Sequence, residues 1–151
     1  MRYAQVRDML DQVREFHGQL AEYYHQLSDS SDQQRVKLLL DHMSNHEKQL
    51  QEGLRDYGED ASEQILNTWV DCKYCDDVLM TCKQIPIVPE ASVKNVIQAT
   101  LDIDNCLVRF YREVAEKVES EKVRGVFQNL VEMEESELRQ LALSALQVRD
   151  L

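Results

Sequence analysis

The chain has 151 residues, enough for one domain with a proper hydrophobic core. Its 28 Asp and Glu against 17 Lys and Arg leave a net charge of −11, which argues against nucleic acid and anionic membrane surfaces, since both select basic faces. Four Gly and two Pro leave few places to turn, so long helices are favoured over many short strands.

In chain order, the periodicity predicts a first helix from about Tyr3 to Leu27. Its apolar stripe is Val6, Met9, Leu10, Val13, Phe16, Leu20, Tyr23, Tyr24 and Leu27, with His17 in the middle. Ser28 to Asp32 reads as a turn, and Ser31 with Gln34 as a capping box. A second helix, about 32–57, carries Val36, Leu39, Leu40, Met43, Leu50 and Leu54 with Glu47 inside the stripe, and Gly58 is its expected end.

Residues 58–91 read as a crossover. Asp60 and Glu63 mark a cap before a short amphipathic piece around Ile65, Leu66, Trp69 and Val70, and Trp69 is expected to anchor the crossover on the bundle. Pro86 and Pro89 forbid a continuous helix there. A third helix, about 92–118, has the stripe Val93, Val96, Ile97, Thr100, Leu101, Leu107, Phe110, Tyr111 and Val114, with Asp104 at its centre. Ser120 caps a fourth, about 120–148, striped by Val123, Val126, Phe127, Leu130, Leu138 and Leu141 around Glu134.

The two halves coincide without a gap when shifted by 87 positions, polar insertions included: His17 falls on Asp104, Glu47 on Glu134, and Tyr23-Tyr24 on Phe110-Tyr111. A duplicated helical hairpin follows, each half antiparallel because its turn is short. His17, Glu47, Asp104 and Glu134 then offer one polar side chain per helix near mid-bundle. Three converging carboxylates would repel strongly at low dielectric. A metal of the Fe, Mn or Zn kind, a protonated His17, or protonated acids hydrogen-bonded to Tyr24 and Tyr111 are the three ways to balance them.

Glu47 and Glu134 each follow a V-x-x-L/V-L/F-x-x-M/L start, and Tyr24 and Tyr111 each lie seven residues after the polar position. In this the chain resembles the ferritin-like superfamily, especially rubrerythrin-like di-iron carboxylate bundles, over residues 6–54 and 93–141. The resemblance implies an all-α, ferritin-like antiparallel four-helix bundle, made of two repeated hairpins joined by a long crossover. It also implies metal ligands at His17, Glu47, Asp104, Glu134 and Glu137. In that family the first and third helices each give a Glu, and the second and fourth each give Glu-x-x-His. Here His17 and Asp104 replace the former, and Leu50 and Glu137 occupy the two His positions of the latter. The implied function is iron or manganese binding with an oxidoreductase-like or iron-handling role. The alternative is a metal-free descendant acting as an interaction or regulatory module.

Other candidates have plainer readings. His42 and His46 have chelating spacing but sit off the stripe among Asp41, Asn45 and Lys48, as on a solvated face. His25 reads as a surface residue. Cys72 and Cys75 form a lone CxxC, with Cys82 further on and Cys106 in the third helix. Free thiols are expected, because no N-terminal run resembles a signal peptide and no apolar run would span a bilayer, which points to a cytoplasmic protein. Two-fold pairing is common for bundles of this size, and Ile85, Ile87 and Val88 have no assigned place in the core, so a homodimer is expected.

Overall fold

The structure, a computed structural model, describes residues 3–71, 82, 84 and 92–149, without the side chains of residues 93 and 144–149. The expectations placed on Cys72, Cys75, Ile85, Pro86, Ile87, Val88 and Pro89, and on the Val93 side chain, lie outside the described residues. The elements are β1 (Tyr3–Gln5), α1 (Val6–Ser30), α2 (Gln34–Asp60), α3 (Glu63–Leu66), β2 (Trp69–Asp71), α4 (Val93–Lys117) and α5 (Glu121–Arg149). The fold is an all-α bundle with one small two-stranded sheet. Among the described residues no helix is long and apolar enough to cross a membrane.

Within the first hairpin, Ser28 meets Asp41, Ser44 meets the carbonyl of Ala21, and His17 meets Glu47. One helix advances as the other retreats, so the pair is antiparallel. In the second, Arg124 reaches the Ala115 carbonyl, Arg112 reaches Glu135, and Tyr111 reaches Glu134. The repeat is visible in the boundaries themselves. Val6 and Val93, Ser30 and Lys117, and Gln34 and Glu121 are each 87 positions apart. The apolar stripes of both halves meet in one core, where Tyr24, Tyr111, Phe127, Leu40 and Leu107 are fully buried. Helical propensity alone does not hold such helices in water; burying those faces does.

The caps sort into matches and corrections. Ser92 and Ser120 cap α4 and α5, their hydroxyls accepting from the amides of Asn95 and Val123. The Ser31–Gln34 capping box is absent: α1 runs on to Ser30, and Gln33 is the N-cap of α2 without a side-chain bond. Ser28 is instead a buried helix residue, held by Asp41 at 2.5 Å and the Lys37 carbonyl, a partner that no local pattern shows. Gly58 does not end α2, which continues to Asp60 with no residue at positive φ. Ser62, rather than Asp60, caps the short α3.

The first helix starts at Val6, not Tyr3, because Tyr3–Gln5 pairs antiparallel with Trp69–Asp71. This also overturns the burial expected for Trp69. A strand alternates faces where a helix would not. Val70 therefore points into the core, while Trp69 points outward and is 64 % exposed.

Candidate functional site

Midway along the bundle, α1 and α4 supply His17 and Asp104, and α2 and α5 supply Glu47 and Glu134. All four are buried. The imidazole of His17 spans the gap between the hairpins, with Nδ1 2.5 Å from Glu47 Oε2 and Nε2 2.8 Å from Glu134 Oε1. Tyr111 donates its hydroxyl to the same Glu134 oxygen at 3.2 Å. Its counterpart Tyr24 pairs with the Thr100 hydroxyl at 2.9 Å. Burial, then the neighbouring carboxylates, hold both phenols well above the ordinary tyrosine range, so both stay neutral donors.

The charge state follows from the same neighbours. Burial by itself lowers the pKa of His17, but the charges of Glu134 and Glu47 and their hydrogen bonds outweigh it. The ring is held well above its ordinary value. Both ring nitrogens therefore act as donors, and His17 is an imidazolium between two carboxylates. Burial raises Glu47, and His17 opposes the rise. Asp104 is pushed well above the carboxylate range by burial, then by the charges of Glu134 and Glu47, which favours its protonated form. These two directions favour a protonated histidine together with a protonated acid.

The di-iron set does not fit this arrangement. A metal ligand must present a lone pair, and His17 has both nitrogens committed to carboxylates. Glu137, expected in the interior set, bonds Nδ1 of His46 and lines the same pocket as Glu47 and Asp104. Leu50 is a buried core residue. Among the described residues, no group of three or more His, Cys, Asp or Glu side chains is arranged to hold a metal ion. Two buried carboxylate oxygens, Asp104 Oδ1 and Glu134 Oε2, have no hydrogen-bond partner.

Beside this layer is a small open pocket lined by His42, Met43, His46, Glu47, Leu50, Thr100, Asp104, Glu137 and Leu141. Sequence reasoning left His42 and His46 on a solvated face. The structure makes His42 exposed but brings His46 against Glu137, 91 positions away. The i, i+4 spacing was the visible signal; the partner on α5 was not.

The free-thiol expectation is corrected for one pair. Cys82 and Cys106 are disulfide-bonded, with Cα atoms 5.6 Å apart, so the crossover does reach α4 at a position two residues beyond Asp104. His25 lies at the surface near Asp29, as expected.

No protein-family model, curated protein or solved structure matches this chain.

Proposed function

We propose that this chain is a ferritin-like bundle whose interior layer works without metal, and that it acts as an interaction or regulatory module. The observation that carries this reading is the His17 imidazole spanning Glu47 and Glu134 with both of its nitrogens. An internal cation occupies the place between the carboxylates where the resemblance would put metal, and it leaves no lone pair for a ligand bond. The layer then serves to fix helix register and to join the hairpins, a known use of buried polar groups.

The contact surface is the outer face of the small sheet. Tyr3 and Trp69 are both exposed there, 51 % and 64 %, over strands whose inner face buries Val70. A homodimer is the assembly proposed, and a protein rather than nucleic acid or a membrane is the partner class, given the net charge of −11. Light scattering at tens of micromolar should give twice the chain mass, and a monomer would overturn the dimer.

The metal-free reading is tested on chelator-treated protein by thermal melts with Fe(II) or Mn(II), added anaerobically. The melting temperature should not move, and the ¹⁵N spectrum of His17 should show both ring nitrogens protonated at neutral pH. A rise with either metal that disappears in Glu134→Ala would instead establish iron or manganese handling with an oxidoreductase-like role. The partnerless oxygens of Asp104 and Glu134 favour that second reading.

A further inference from the structure

We propose that His42 and His46 form a chelating site for a borderline divalent cation of the zinc, nickel or copper class, on the flank of the bundle in the pocket beside the buried layer. The two residues are one helical turn apart on α2 and share a face. Their Nε2 atoms are 3.1 Å apart, with ring centroids at 4.4 Å and the planes inclined at 68°. At a metal–imidazole distance of about 2.0–2.1 Å, a right-angle bite separates two nitrogens by roughly 2.9 Å and a tetrahedral one by roughly 3.4 Å. The observed hydrogen-bonded separation falls within that range, so little movement is needed to seat an ion.

The hydrogen bonding prepares the same atoms. Glu137 from α5 accepts from Nδ1 of His46, which fixes the proton there and leaves Nε2 with its lone pair. A carboxylate on the back of a ligand imidazole orients the ring and raises its basicity. With the His46 proton on Nδ1, the hydrogen bond between the two Nε2 atoms is donated by His42; a bound cation takes its place once His42 carries its proton on Nδ1 instead, which frees the second lone pair. Burial, then the neighbouring His46, lowers the pKa of His42, which keeps that ring neutral and ready to bind near pH 7. The pocket alongside includes the Glu137 carboxylate in its wall, bonded to His46, which favours a cation there. Protein supplies two ligand atoms, and water fills the rest of the shell. This agrees with the lack of a three-residue metal group among the described residues. Imidazole ligation with few carboxylates favours zinc, nickel or copper over manganese or iron(II).

The site is independent of the metal-free reading of the interior, and its test separates the two. The full chain, stripped with chelator, is titrated with zinc(II) alone by calorimetry in a non-coordinating buffer, and with cobalt(II) by visible absorption. The expected result is one ion per chain, with affinity reduced at least tenfold in His42→Ala and again in His46→Ala. Glu137→Gln should weaken binding by tenfold or more, as expected for loss of a carboxylate behind a ligand imidazole. His42 is exposed, so His42→Ala should keep the wild-type circular dichroism and melt. Binding at full affinity in His42→Ala would overturn the proposal, as would no binding at all. Zinc binding that survives His42→Ala but falls in Glu134→Gln would also overturn it, by locating the ion in the buried layer.

Discussion

Replacing His17 by Leu removes the imidazolium while nearly keeping its volume, so the cost reads the charge layer more than a cavity. Glu47 and Glu134 would lose their shared donor inside a site where His17 and Glu134 have no exposed surface. Breaking a buried ion pair by removing one partner costs about 3–5 kcal/mol. For a chain of this size about 1 kcal/mol moves the melting temperature by roughly 2–4 °C, so a drop of about 6–20 °C is expected near neutral pH. The pH dependence is the sharper signature. The folded pKa of His17 is raised, so its stabilisation is complete below the unfolded histidine value and is lost as pH rises through the folded one. On acidification the stranded carboxylates of the variant take up protons, beginning from a Glu47 whose pKa is already raised, and the penalty shrinks again. The difference between wild type and variant should therefore pass through a maximum between acid and alkaline limits. Melts by circular dichroism from pH 4 to 10 would measure it. A difference below about 1 kcal/mol, or one flat across that range, would refute the imidazolium bridge.

Asp104→Asn mimics the protonated acid. Since the folded pKa of Asp104 is raised, its contribution is present below the unfolded carboxyl value and lost as pH rises, so the variant should match wild type in acid and melt higher at alkaline pH. Cutting the Cys82–Cys106 bond, by reductant or Cys106→Ala, opens a constraint across 24 residues and should cost roughly 3.5 kcal/mol on the chain-entropy account, read by a melt with and without reductant. Gly125→Ala should raise stability by about 0.5–1 kcal/mol in urea unfolding, because a Cβ there meets nothing within 4 Å and the backbone is helical.

The sequence by itself determined the helices, their pairing into two hairpins and the 87-residue repeat. Each of these is written in a local period: apolar residues at helical spacing, serines at Ser92 and Ser120, and short turns. It also determined that His17, Glu47, Asp104 and Glu134 share the interior, since a residue inside an apolar stripe goes where the stripe goes. Periodicity specifies a face but not the partner across it. Only tertiary packing decided that His17 bridges Glu47 and Glu134 while an oxygen of Asp104 stays partnerless, a matter of a few ångströms in helix height and rotation. The same holds for Glu137, one turn beyond Glu134, whose carboxylate packing brings onto His46. Cys82 and Cys106 meet because the crossover folds back onto α4. Trp69 faces outward because a strand pairing with Tyr3–Gln5, formed 66 residues apart in the chain at Ala4 and Val70, replaced the helical period with an alternating one.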